Sequence, residues 1–433
     1  MSAARSAVVL VFDRLRPSFL GPYGGTWCET PACNRLAAEG YVAEQAWGDA
    51  ADLDLLYRSY WSGQHAACRH LGDATTPSAA TAGHALAERL QTAGVYAELL
   101  TDEPQVASHP WGEAFAERLF LPQDERSEAA ETAGSMRVAQ VLGAAAERWH
   151  ERHEPTLLWV HAAAWSDAWD APYEFRQQWA DDDDPPPPPF VAPPERILHE
   201  RPDPDELLGY AQAYAGQVSA WDACLEAWLN AFAASPLASQ TLLIVTSPRG
   251  YPLGEHQRVG GTAPQLFGEL LHVPLLIRLP ENSAPLVRDQ QLIQPSDLYA
   301  TLLDWFQIGA PGSAAEQNSQ LTTATAAPVS LWGQSLLERI QGTRLAEANG
   351  DDRDVAAAVT REELLLRTRS WMLRLLGSVD DPDQTELYVK PDDRWEANEV
   401  ARRCPEEAER LRQLAGRFRW AADRGERALL APS

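Results

Sequence analysis

The chain has 433 residues, enough for a large core, and carries a formal charge of −26. That charge argues against a nucleic-acid partner, because phosphate binding needs clustered basic residues. No stretch reaches the ~20 consecutive apolar residues of a membrane helix, so no membrane partner is expected either.

Taken in chain order, four unalternating apolar runs read as buried parallel strands: residues 8–12, 156–160, 241–245 and 273–278. The first run is too short for an export signal and ends in Asp13, so a cytoplasmic location is expected. Helical patterns fall at 33–39, 81–93, 135–152, 206–234 and 295–306. Their alternation with the runs predicts an α/β fold, a central and mostly parallel sheet sandwiched by helices. Residues 181–189 are four Asp followed by five Pro, which predicts a solvated loop within about 181–205. A second flexible connection is expected over 309–327, rich in Ala, Ser, Thr and Gln. Beyond it, residues 364–376, 385–389 and a helix at 405–416 predict a small α+β subdomain. The expected division is a main domain over 1–354 and a subdomain over 355–433.

The five cysteines, Cys28, Cys33, Cys68, Cys224 and Cys404, are odd in number and scattered, which suits buried free thiols better than disulfides. Positive charge is almost all arginine; Lys390 is the single lysine.

Ordered motifs then run along most of the chain. Asp13-Arg14-Leu15-Arg16 follows the first run, and Leu20-Gly21-Pro22-Tyr23-Gly24 comes next. Thr30-Pro31-Ala32-Cys33-Asn34-Arg35-Leu36-Ala37-Ala38-Glu39-Gly40 opens the first helix. Leu157 to His161, Tyr214 to Asp222 and Leu266 to Pro280 follow. Asp297 to Leu303 and Glu386-Leu387-Tyr388 close the series. Thr246-Ser247-Pro248-Arg249-Gly250, with Gly254-Glu255-His256, follows the third run. In this order the pieces resemble the sulfatase family of the alkaline-phosphatase superfamily, whose sheet strand runs into T-S-D-H-G and then G-E-H.

The resemblance implies a hydrolase scaffold, and it also implies chemistry whose residues are missing. Sulfatases carry C-x-P-S-R or S-x-P-S-R, whose first residue becomes a formylglycine nucleophile beside a calcium or magnesium ion. The matching stretch is Asp52-Leu53-Asp54-Leu55-Leu56-Tyr57-Arg58, which puts Leu53 or Asp54 at the nucleophile. Asp54 keeps Arg58 four residues on, and is open to reading as a carboxylate nucleophile, a helix-start carboxylate or the partner of an arginine. Pro248 and Arg249 occupy family ligand positions, and neither proline nor a guanidinium can ligate a cation. Arg14 holds a third such position. Asp13 is the only retained metal ligand, so no metal cofactor is expected. His161 and His256 are retained and stay open between structural and catalytic roles.

Three readings compete. The first is an inactive sulfatase-like protein, a pseudoenzyme kept for binding or scaffolding. The second is an active sulfate or phosphate ester hydrolase with altered chemistry, drawing on Asp54, Arg58, His161 and His256. The third is a module that binds a small anion. Arg14 and Arg249 are open to two readings: they take the place of the metal and pair with Asp13, Asp52 or Asp54, or both turn out to solvent. Asp13, Asp52–Arg58, Pro248-Arg249 and His256 are expected to converge at one end of the sheet. The sequence names no protein partner.

Overall fold

The structure, a computed structural model, describes residues 5–68, 84–152, 155–199, 202–309, 331–341, 353–377 and 382–427. The expected connection at 309–327 lies outside the described residues except for Gly309, as do 81–83 of the second helical pattern.

The strands are β1 (Ser6–Phe12), β2 (Tyr41–Trp47), β3 (Tyr96–Thr101), β4 (Glu117–Phe120) and β5 (Thr156–Ala162), then β6 (Arg196–Ile197), β7 (Thr241–Thr246), β8 (Arg258–Val259), β9 (His272–Val273) and β10 (Leu275–Arg278). Next come β11 (Val287–Ile293), β12 (Ala356–Val359), β13 (Glu363–Arg367), β14 (Trp371–Leu376) and β15 (Thr385–Val389). The central sheet runs β11-β2-β10-β7-β1-β5-β3-β4, with β9 also on β2. Pairing is parallel for β7-β1-β5-β3-β4 and for β11-β2, and antiparallel around β10. The fold is therefore the mostly parallel α/β sandwich that the apolar runs predict. β1, β5 and β7 are buried at every position, which is why they read as continuous runs rather than alternating ones.

The run at 273–278 is two strands rather than one. Pro274 separates β9 from β10; proline cannot donate to a ladder, so the chain breaks register there. Residues 364–376 are likewise a hairpin, β13 to β14.

Helices cover both faces of the sheet. They are α1 (Pro31–Glu39), α2 (Leu53–Ser62), α3 (Leu86–Thr92), α4 (Arg137–His150), α5 (Pro204–Ala234) and α6 (Pro295–Trp305). α1 begins on a proline and lacks a side-chain cap of its own. Buried Asp222 of α5 supplies one instead, accepting from the backbone N–H of Ala32 (2.8 Å) and Cys33 (3.0 Å). One apolar layer packs α1, α4 and α5 against one face of the sheet. The other holds α2, α3 and α6 on the opposite face.

The antiparallel sheet β12-β13-β14-β15 carries the last helix, α7 (Pro405–Arg424), on one face. Its other face packs against Trp47, Phe267 and Leu270 of the main sheet's flank. Among the described residues all five cysteines are free thiols, and no helix is long and apolar enough to cross a membrane.

Candidate functional site

β1 and β7 lie side by side and parallel, with Val11 opposite Thr246. Residues just beyond both strand ends therefore enter one crevice at the carboxyl edge of the sheet. There Arg249 grips Asp13 with both arms: Nε donates to Oδ1 at 3.0 Å and Nη2 to Oδ2 at 2.8 Å. Its Nη1 donates to the Ala51 carbonyl (3.1 Å), tying the pair to the entry of α2. The turn is held by Ser247, whose hydroxyl donates to the Arg249 carbonyl (2.7 Å) and accepts from the Leu15 N–H (3.2 Å). Asp13 is fully buried. Burial alone would raise its pKa, but the charge and hydrogen bonds of Arg249 hold the carboxyl below the usual carboxylate range.

His161 stands on the neighbouring strand, with Val11 as its register partner. Its Nδ1 lies 2.5 Å from the Tyr57 hydroxyl, while its buried Nε2 has no hydrogen-bond partner among the described residues. Burial holds its pKa down at about 4, so the ring is neutral at physiological pH. Asp52 is the exposed N-cap of α2, accepting from the Leu55 N–H at 3.2 Å, and its charge is felt by Arg249. Asp54 sits in the first turn of α2, where its backbone carbonyl faces His109 Nε2 at 3.0 Å.

Three expected members of the cluster sit elsewhere. Arg14 pairs with Glu195 (2.9 Å) and lies over the Tyr251 ring, not on Asp13, Asp52 or Asp54. Its positive φ of 65° turns the side chain into a groove where a Cβ on Gly261 would collide with the guanidinium. Arg58 is buried and donates to the Ala66 carbonyl, near Asp49, so it serves the α2 C-terminal turn. His256 stacks flat on Phe267, with ring centroids 3.4 Å apart, and its Nδ1 meets Glu269 Oε1 at 2.8 Å. It joins the main sheet's flank to the Glu396 carbonyl of the small subdomain. Burial disfavours its charge, but the Glu269 carboxylate raises its pKa.

The retained motif frame is structural. Glu255 pairs with Arg16 at 2.8 Å, and Arg16 also donates to the Tyr251 carbonyl. Gly250 is required because a Cβ there would sit 2.2 Å from the Glu269 carbonyl oxygen. So the Arg of Asp13-Arg14-Leu15-Arg16 and the Glu of Gly254-Glu255-His256 persist as partners of each other.

Sequence reasoning passed over Asp102 and Glu103, which follow β3. A strand end in a parallel sheet was the available signal, but β3 was not recognised as a strand. Glu103 lies within electrostatic reach of Asp13 and Arg249. Asp102 accepts from the Ala163 N–H at 2.7 Å, and burial pushes its carboxyl up to about 7. A raised acid pKa favours the protonated folded state. Stability from this group is therefore complete below the unfolded value of about 4 and is lost as pH rises to about 7. Asp102→Asn keeps the acceptor and removes the titration. Relative to the native chain it is expected to gain roughly 2–4 kcal/mol between pH 4 and pH 8. Urea unfolding across that range measures it, and a flat difference would refute it.

A calcium or magnesium ion requires several oxygen ligands. Here both Asp13 oxygens are taken by Arg249, and Arg14 is directed to Glu195. Among the described residues no group of three or more His, Cys, Asp or Glu side chains is placed to share an ion. The side chains present do not fit the divalent cation that the resemblance implies. What the crevice offers is a neutralised carboxylate, a neutral imidazole and flanking acids.

The sequence model of the Sulfatase family matches residues 5–308. No curated protein matches the chain significantly. Among solved structures the chain is similar to the phosphonate monoester hydrolase of Agrobacterium radiobacter, with TM-score 0.73 and 14% identity over 97% of this chain and 96% of that one. It is also similar to a phosphonate monoester hydrolase from Silicibacter pomeroyi, with TM-score 0.69 and 16% identity over 96% of each chain. A 2-O GAG sulfatase aligns with TM-score 0.70 and 15% identity over 97% of this chain and 92% of that one. At these identities the likeness is one of fold.

Proposed function

We propose that this chain, which belongs to the sulfatase family, is a member without sulfuric-ester hydrolysis, kept in the cytoplasm for binding or scaffolding. The observation that carries this reading is the two-armed Asp13–Arg249 pair. In a metal-dependent hydrolase the cation neutralises charge that develops during the reaction. Here the positive charge beside Asp13 is already committed to the ground state, so little of it is released to a transition state. The nucleophile position is Leu53 or Asp54, and neither can become formylglycine.

A second reading is favoured by the orphaned Nε2 of His161. In it the Asp54 carboxylate attacks the sulfur or phosphorus of an ester, and the alcohol leaves and takes a proton from water. The resulting hydroxide hydrolyses the mixed anhydride to release sulfate or phosphate and free Asp54, with Arg249 supplying the electrostatic stabilisation without metal.

Assays with 4-nitrophenyl sulfate, 4-nitrophenyl phosphate and a phenylphosphonate monoester test both. The last is chosen because two structural neighbours are named for that activity. No turnover above the uncatalysed rate is expected, and calorimetric titration with calcium or magnesium is expected to show no stoichiometric binding. Turnover by the native chain that is lost in Asp54→Ala would overturn the first reading and establish the second.

A further inference from the structure

The seam between the main sheet and the small subdomain forms an open cleft of about 390 Å³ whose lining includes neither Asp13 nor Arg249. That volume lies in the range of small-molecule sites. Most charges around it cancel in pairs: Arg16 with Glu255 (2.8 Å), Arg288 with Glu44 (2.7 Å) and Lys390 with Glu396, while Glu269 bonds His256 at 2.8 Å. Two guanidiniums are left over. Arg367 is buried, yet among the described residues no carboxylate bonds it. It donates only to the Thr368 carbonyl and, at 3.4 Å, to Gln45 Oε1. Its remaining support is the face of Trp47, 5.5 Å from the guanidinium carbon. Burial lowers its pKa to about 10, opposed only by the charge of Glu396, which is already paired with Lys390. Arg394 is exposed and lies 5.1 Å over the ring of Trp395, itself 52% exposed.

On a chain of charge −26, this locally positive cleft is a place where an anion is attracted rather than repelled. Guanidiniums match flat or tetrahedral oxyanions, and an exposed indole accepts a planar ring. We propose that this seam binds a small ring-bearing organic anion, its acid group between Arg367 and Arg394 and its ring against Trp395. The site goes beyond the crevice reading and holds whether or not the crevice hydrolyses esters.

Calorimetry of the full chain with 2-naphthoate, 2-naphthyl phosphate and neutral 2-naphthamide tests the proposal. Binding of at least one acid is expected, weakening with salt, with the amide inert. The preferred acid separates a carboxylate site from a phosphate-ester site, and either preference supports the proposal. Arg394→Ala, a surface change, is expected to weaken binding about tenfold. Arg367→Met is expected to weaken it at least as much. If that variant does not fold, Arg394→Ala and Trp395→Ala carry the test. No binding of either acid to the native chain, equal binding of the amide, or native affinity in Arg394→Ala would overturn it.

Discussion

Arg249→Ala is expected to destabilise the fold by about 3–5 kcal/mol, because it leaves the Asp13 carboxylate buried without its partner. Asp13 is fully buried, and the side chain of Arg249 is 16% exposed. Both carboxylate oxygens receive guanidinium N–H groups, so little other solvation remains. Removing Arg249 reverses the depressed pKa of Asp13, and the variant is expected to recover part of its loss as pH falls and Asp13 protonates. The native chain behaves oppositely: stability from Asp13 is present above about pH 4 and is lost as pH falls through its depressed value. Replacing both partners, Asp13→Leu with Arg249→Met, removes the charges together and is expected to come close to native stability, because a buried pair gains little over apolar packing. Guanidinium unfolding of the native chain, both single variants and the double variant closes the cycle. A single variant within 0.5 kcal/mol of native would mean that the pair is not held as described. The result also bears on function. A site whose central charge is spent on stability is poorly suited to stabilising a reaction.

The legible parts of this fold were those that physics writes on every residue. β1, β5 and β7 are buried on both faces and so are apolar throughout. β3 and β4 were passed over: β3 keeps a buried Glu98, whose carboxylate bonds Arg148 and Arg152, and the four-residue β4 alternates. The meeting of Asp13 and Arg249 was readable, because both follow apolar runs and parallel strands end in one crevice. The direction of a side chain was not. Arg14 follows Asp13 directly, yet a left-handed backbone sends it to Glu195. Arg58 has the motif spacing from Asp54, yet it answers the Ala66 carbonyl. His256 keeps its place in the motif while stacking on Phe267. Retained motif letters thus marked backbone geometry and ion pairs more than chemistry.

Asp297 is the clearest retained letter of this kind, and Asp297→Ala is expected to cost about 3–5 kcal/mol. It lies in the first turn of α6 and accepts from the N–H groups of Gln294 and Gln334, each at 2.8 Å. Arg353 Nη2 adds an ion pair at 2.5 Å and reaches the Trp332 carbonyl at 3.1 Å. Gln294 in turn bonds the backbone of Ala357 in β12. One carboxylate therefore joins α6, the 332–334 segment and the approach to the small sheet. Its loss strands a buried guanidinium and two N–H donors at once. Arg353→Met leaves Asp297 its two N–H donors, so the smaller cost of about 1–3 kcal/mol is expected. Unfolding titrations measure both, and hydrogen exchange gives an independent check. Protection at Ala356–Val359 should fall in Asp297→Ala further than at β1, since the small sheet loses its tether while the central strands keep their layers. Equal costs for the two variants would show that the Arg353 pair is all that Asp297 contributes, and unchanged protection in β12 would show that it does not tether the small sheet.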